Sequence, residues 1–143
     1  MTITGSCSCG KVRLAISGEA KNVRECWCRQ CQKTAGGGPI LNAIFLTDDV
    51  QLDGELATSG WTADSGNEVT SYRCAACGDP VYVQGARHPH FMAIRLGVLD
   101  VGHGLSPQMI FWTEEAPGWA VLNPALPQYA RQPEPRSPAR RDG

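Results

Sequence analysis

The chain has 143 residues, about the size of one domain, and a composition of 42% hydrophobic and 19% charged residues excludes a wholly disordered protein. Its 13 basic and 14 acidic residues leave a net charge of −1, which gives no strong field to attract nucleic acid or an anionic membrane. The N-terminus has neither a basic start nor an apolar segment, and no stretch is long and apolar enough to cross a bilayer. These features predict a cytoplasmic protein.

The first half of the chain is predicted to form short strands. Apolar and polar residues alternate over residues 11–17, the pattern of a strand with one buried face. A largely apolar strand is expected at residues 39–46. Residues 50–52 lead to an Asp53-Gly54 turn, which predicts a hairpin with residues 55–58.

One short helix is predicted in the later part of residues 26–35, where the glycines at 36–38 should end it. A polar loop at residues 63–67 precedes a strand at 69–73. Three more strands are expected at residues 81–84, 91–96 and 108–113, since each is bounded by glycine or proline. With no long helix, the predicted class is a mostly β fold of short antiparallel strands.

The last stretch of the chain differs in composition from the rest. Residues 131–143 contain three prolines and four arginines but no large apolar side chain, so they bury too little to offset the entropy of ordering. We therefore expect one domain over residues 1–130 and a disordered tail rich in proline and arginine over residues 131–143.

The cysteines carry the strongest chemical signal. All seven fall into three clusters: Cys7 with Cys9, then Cys26, Cys28 and Cys31, then Cys74 with Cys77. In a reducing compartment such crowding indicates metal binding or catalysis rather than disulfides. A closed structural zinc site takes four ligands, so the first and last pairs could form one and leave the central three as a site with an open position. Spacing alone leaves that partition open, and buried, reactive or redox-active thiols are the alternative.

The cysteine motifs resemble those of the glutathione-dependent formaldehyde-activating enzyme family, whose domain also occurs in centromere protein V. The matching segments are Gly5-Ser6-Cys7-Ser8-Cys9-Gly10-Lys11-Val12, Cys26-Trp27-Cys28-Arg29-Gln30-Cys31, and Tyr72-Arg73-Cys74-Ala75-Ala76-Cys77-Gly78, with softer matches as far as Tyr129. The resemblance implies a β-tent fold with two zinc ions per chain. It assigns the structural zinc to Cys7, Cys9, Cys74 and Cys77, and a second, open zinc to Cys26, Cys28 and Cys31.

The resemblance also implies an activity: zinc-dependent carbon–sulfur lyase or synthase chemistry on adducts of a thiol such as glutathione with an aldehyde. In that reading the thiol enters the open position, loses its proton there and attacks the aldehyde carbon. A non-enzymatic zinc-binding interaction module on the same fold is the alternative, because fold does not settle function. A thiol redox sensor is a third reading.

A few other residues have two readings each. Trp27 stands where many members of the family have histidine, and it either packs against the metal loop or stacks on a ligand. His88 and His90 are exposed loop histidines, or else supply a fourth ligand or a proton shuttle, and His103 is a loop histidine. Asp100 is a turn cap or a general acid. The glycines at 36–38 end a helix or cradle a carboxylate.

Overall fold

The computed structural model describes residues 2–133. Its ten strands are short, and one seven-residue α-helix accompanies three 3-10 turns. The strands are β1 (Ile3–Ser6), β2 (Arg13–Ile16), β3 (Asn22–Cys26), β4 (Ile40–Leu46), β5 (Val50–Asp53), β6 (Leu56–Thr62), β7 (Glu68–Cys74), β8 (Pro80–Gly85), β9 (Phe91–Arg95) and β10 (Met109–Phe111), and the helix is α1 (Arg29–Ala35). The predicted mostly β class is confirmed. Among residues 2–133, no helix is long and apolar enough to cross a membrane.

Two compact units make up the described chain. The first unit contains residues 2–23 and 41–107, and the second contains residues 24–40 and 108–133. The single domain expected over residues 1–130 stays a prediction. Most of the expected tail, residues 134–143, lies outside the described residues.

The first unit contains two antiparallel strand groups around one apolar core. In one group β2 pairs with β1 on one side and with β5 on the other. In the other group the order is β4-β9-β8-β7-β6. The core is built from alternate apolar residues of the strands and includes two of the cysteines. Its members include Val12, Leu14, Ile16, Phe45, Val81, Ile94, Cys7 and Cys74. Two sulfurs therefore sit in the buried part of this unit.

The predicted hairpin between β5 and β6 is wrong. Strand β5 pairs with β2, whereas β6 pairs with β7. The chain does turn at Gly54, which has a φ of 117°, but the turn carries it from one strand group to the other. A Cβ at Gly54 would lie 2.3 Å from the carbonyl oxygen of Lys11, so this turn lies directly against the loop before β2. The Asp-Gly pair correctly indicated that the chain reverses direction, but it did not indicate which strands pair on either side of the turn.

The second unit is built around the parallel pair β3 and β10, which the sequence pattern did not predict. Glu25 is the register partner of Ile110 in this pair. Helix α1 follows β3 and ends, as predicted, at Gly36, whose φ of 80° lies in the left-handed region that favours glycine. Arg131, the first residue of the expected tail, forms a 2.9 Å ion pair with Glu114.

Candidate metal centres

Four cysteines meet in the first unit, on two tight turns. Cys7 and Cys9 lie between β1 and β2, where the carbonyl of Cys7 accepts a hydrogen bond from Gly10. Cys74 ends β7, and its carbonyl accepts from Gly78 in the same way. Both glycines have positive φ, 78° and 83°, so each turn uses the freedom of a residue without a Cβ. Cys77 lies on the second turn.

Two sulfur–sulfur distances in this four-cysteine cluster match the edge of a tetrahedral metal site. Sγ of Cys7 lies 3.6 Å from Sγ of Cys9, which lies 3.7 Å from Sγ of Cys74. A zinc–sulfur bond of about 2.3 Å gives a tetrahedral edge of about 3.8 Å. All four sulfurs, including that of Cys77, lie within 4.8 Å of one another, so the cluster could bind a metal ion.

Backbone N–H groups point at the two buried sulfurs. Val12 N–H donates to Sγ of Cys7 at 3.3 Å, and Ala76 and Cys77 N–H both donate to Sγ of Cys74 at 3.4 Å. The N–H of Cys77 is the main cause of the lowered pKa of Cys74. Burial raises the pKa of Cys7, but the Val12 N–H and the neighbouring thiols lower it further, to about 6. The thiolate, which is the form that binds metal, is thus favoured at Cys7 and Cys74, whereas the pKa of Cys9 is raised to about 11 despite a hydrogen bond from the backbone of Lys11, because of burial and the neighbouring thiols.

A carboxylate links the two turns. Asp79 Oδ2 accepts hydrogen bonds from the backbone N–H of Ser8 at 2.7 Å and from its hydroxyl at 2.5 Å. Ser8 lies between Cys7 and Cys9, while Asp79 follows the other turn. These hydrogen bonds from Ser8 hold the pKa of Asp79 below its usual value. The link keeps the two cysteine pairs together through protein contacts alone.

The other three cysteines meet in the second unit. Cys26 is the last residue of β3, Cys28 caps the start of α1, and Cys31 lies in the first turn of that helix. Their sulfurs all lie within 4.8 Å of one another, and all three side chains are half-buried. This three-cysteine cluster could also bind a metal ion. The structure thus brings together the two cysteine sets that the family resemblance implies.

One pair in the three-cysteine cluster is close. Sγ of Cys28 lies 2.7 Å from Sγ of Cys31, so two ligands of one zinc would have to separate by about 1 Å. Contacts with the thiols of Cys26 and Cys31, helped by the backbone N–H of Cys31 at 3.1 Å, lower the pKa of Cys28 to about 3. The cluster therefore offers one ready thiolate at neutral pH.

A positive charge lies beside the same cluster. Arg24 and Cys26 are two residues apart on β3 and so share a face of the strand. The guanidinium of Arg24 lies over the ring of Phe111, 5.3 Å from its centroid, and Phe111 is the register partner of Cys26. Burial lowers the pKa of Arg24, while the negative charge of Cys26 raises it. Arg24 thus places a cation beside the three-cysteine cluster.

The structure favours the packing reading of Trp27. Its side chain is only 3% exposed, and its ring makes an edge-to-face contact with Trp119 at 6.1 Å. Its indole N–H donates to Glu25 at 2.8 Å, so Glu25 and Trp27 share a face of the chain, while Cys26, between them, faces the other way.

The remaining candidates lie outside both clusters. His88 and His90 are exposed, and His103 accepts a hydrogen bond from a backbone N–H two residues later. Asp100 accepts from the hydroxyl of Thr4, and its own N–H donates to the carbonyl of Thr4, which is the role of a structural cap. None of these four joins a metal cluster among the described residues.

Besides Arg24, sequence reasoning missed Gln32, which lies next to the three-cysteine cluster. Gln32 is 4% exposed, and its side-chain amide donates to the carbonyls of Trp27 at 2.7 Å and Glu115 at 2.9 Å. A glutamine inside a seven-residue helix with mostly exposed neighbours carries no pattern of its own. Only its position directly after Cys31 could have drawn attention to it.

A mostly β scaffold with two cysteine clusters, each able to bind a metal ion, defines the class of protein. A family model described as glutathione-dependent formaldehyde-activating enzyme matches residues 2–115, and the chain belongs to this family. The resemblance drawn from the cysteine motifs is thereby confirmed.

One curated relative and one solved structure resemble this chain. A curated protein of Halomonas elongata, whose name describes it provisionally as a glutathione-dependent formaldehyde-activating enzyme, is 28% identical over 129 residues, covering 85% of this chain and 82% of that relative. The crystal structure of a Rhodobacter sphaeroides protein matches with a TM-score of 0.56 at 17% identity, covering 88% of this chain and 98% of that one. At that identity the structural match supports the fold alone.

Proposed function

We propose that the protein is a zinc-dependent carbon–sulfur lyase or synthase that acts on adducts of a thiol such as glutathione with an aldehyde. Cys7, Cys9, Cys74 and Cys77 hold a structural zinc, and the three-cysteine cluster holds a second zinc. One observation carries the proposal: within the described residues, no fourth histidine, cysteine or carboxylate joins the three-cysteine cluster. Three protein ligands leave a coordination position for a substrate, as in catalytic zinc sites.

Membership of the family and the name of the Halomonas relative support the choice of thiol and aldehyde. Thiolate sulfurs are soft ligands that suit zinc, so the donor set fits that metal. A cytoplasmic setting suits the proposal too, because seven thiols without a disulfide stay reduced there.

The chain's own residues have defined parts in this chemistry. Zinc in the three-cysteine cluster would supply Lewis acidity, which lowers the pKa of a bound thiol and makes it nucleophilic at neutral pH. Three thiolates give that centre a formal charge of about −1 with Zn²⁺, which weakens its acidity. Arg24 offsets part of this charge from the face it shares with Cys26. The N–H of Cys31 does the same by donating to Sγ of Cys28.

The test combines metal counting with thiol titration. The parent protein should contain two zinc ions, and the Cys28→Ser variant should stay folded with one. A cobalt-substituted parent should change its visible spectrum when glutathione is added, and Cys28→Ser should lose both that change and the glutathione-dependent consumption of formaldehyde. Gln30→Ala, an exposed change on the same loop, is the control and should behave as the parent. A cobalt spectrum that glutathione leaves unchanged would instead support the interaction module.

A further inference from the structure

We propose that Gln32 is a positioning residue for the three-cysteine cluster, and that its side-chain amide fixes the metal-binding loop at residues 26–31. The proposal rests on the proposed function only in taking Cys26, Cys28 and Cys31 as metal ligands. The role proposed for Gln32 does not depend on which reaction the protein catalyses.

Every hydrogen-bonding group of the Gln32 side chain has a partner. Both amide hydrogens are used by the carbonyls of Trp27 and Glu115, and the amide oxygen accepts from the guanidinium of Arg29 at 2.5 Å. A buried amide with all its bonds made holds one orientation, because rotating it would leave several buried groups without partners. Gln32 is therefore a rigid connection rather than a flexible side chain.

The position of these partners makes the connection relevant to metal binding. The carbonyl of Trp27 belongs to the peptide bond that leads into Cys28, and Gln32 directly follows Cys31. The bond between them closes the loop that carries two of the three sulfurs. It fixes the backbone, so that only side-chain torsions have to change when the sulfurs of Cys28 and Cys31 separate.

Glu115 anchors this loop from a distant part of the sequence. Its carbonyl accepts the second amide hydrogen of Gln32, and its carboxylate accepts the backbone N–H of Arg29 at 2.8 Å. One residue thus holds both the first residue of α1 and the buried amide. Outer groups of this kind commonly contribute about 10–100-fold to metal affinity.

The test uses Gln32→Met, which keeps the length of the side chain but removes its donors and acceptor. Zinc affinity is measured by competition with a chromogenic chelator, and cobalt spectra report each centre. We expect affinity at the three-cysteine cluster to fall at least about 10-fold, with the four-cysteine cluster still filled. Gln30→Met is the matched control, because Gln30 is exposed on the same helix, and it should bind as the parent.

Arg29→Met keeps the test informative if Gln32→Met does not fold. Arg29 is exposed, and this change removes its hydrogen bond to the amide oxygen of Gln32. It should lower the metal affinity of the three-cysteine cluster by a smaller factor than Gln32→Met does. Parent-like affinity in Arg29→Met and in a folded Gln32→Met would overturn the proposal, as would equal losses at both centres. A parent that binds one zinc would overturn the proposed function and this assignment together.

Discussion

Trp27 donates its indole N–H to the carboxylate of Glu25 at 2.8 Å. This bond uses the one hydrogen-bond donor of the residue that stands between Cys26 and Cys28. Indole has no acceptor to offer a substrate, and its ring is already packed against Trp119. The one donor and the ring of Trp27 therefore both have partners within the protein, which favours a packing role for this residue.

The first prediction concerns Trp27→His, which restores the residue found in many members of the family. We expect no gain in glutathione affinity by calorimetry and a loss of about 2–4 kcal/mol in unfolding free energy by urea denaturation, because a buried ring is replaced by a smaller, polar one. Trp119→His is the control. That ring is 70% exposed, so the change should cost about 1 kcal/mol or less. Faster turnover in Trp27→His would contradict this account.

The second prediction separates the two cysteine clusters. Cys77→Ala removes a proposed ligand of a metal that contributes about 10–16 kcal/mol of apparent binding energy in small zinc modules, so this variant should be unfolded or insoluble. Cys31→Ser should remain folded with one zinc fewer. Circular dichroism and metal analysis of the two variants decide the matter. Cys77→Ala protein with native thermal stability and full zinc content would show that the four-cysteine cluster is not structural.

The third prediction concerns the link between the two turns of the four-cysteine cluster. Asp79→Ala removes both bonds to Ser8 and should lower the unfolding free energy by about 1–2 kcal/mol. Ser8→Ala should cost less, because its backbone N–H still bonds to the carboxylate. The double variant should cost no more than Asp79→Ala within error, as measured by urea denaturation. Fully additive losses would mean that the two residues act independently.

The fourth prediction tests the turn at Gly54. Gly54→Ala should destabilise the protein by more than about 2 kcal/mol, because φ is 117° and the new Cβ would lie 2.3 Å from the carbonyl oxygen of Lys11. Gly97→Ala is the matched control: it has open space around its Cβ and no positive φ, so its effect should be within about 1 kcal/mol. Similar thermal midpoints for the two variants would exclude the close approach at Gly54.

Local patterns predicted the individual elements well. The alternation around Leu14 placed β2, the glycine at 36 ended α1, and the strand before Cys74 was found because β-branched and aromatic residues cluster there. The cysteine motifs identified the family, and through it the two sets of sulfurs that the structure brings together. Each of these signals is contained in a short segment of a few residues.

Pairing between distant segments was not predictable in the same way. The Asp53-Gly54 turn indicates that the chain reverses direction. It does not indicate that β6 pairs with the later strand β7 rather than with β5. The parallel pairing of β3 with β10 joins Glu25 to Ile110, and nothing in either segment specifies the other. The hydrogen bond from Gln32 to Glu115 could not be predicted for the same reason, because the two residues are 83 positions apart and no local sequence pattern connects them.

The two clusters differ in the length of the chain segment between their cysteines. Cys9 and Cys74 are 65 residues apart, so a metal bound between them would cross-link the chain over a long loop. By analogy with a disulfide, this would lower the entropy of the unfolded state by an amount equivalent to about 4 kcal/mol. Cys28 and Cys31 are three residues apart, and their loop is complete early in translation. Glu115 is synthesised far later. With zinc bound as proposed, the short loop would hold the ion before Glu115 is synthesised, and its zinc affinity would rise only once Glu115 bonds to Gln32.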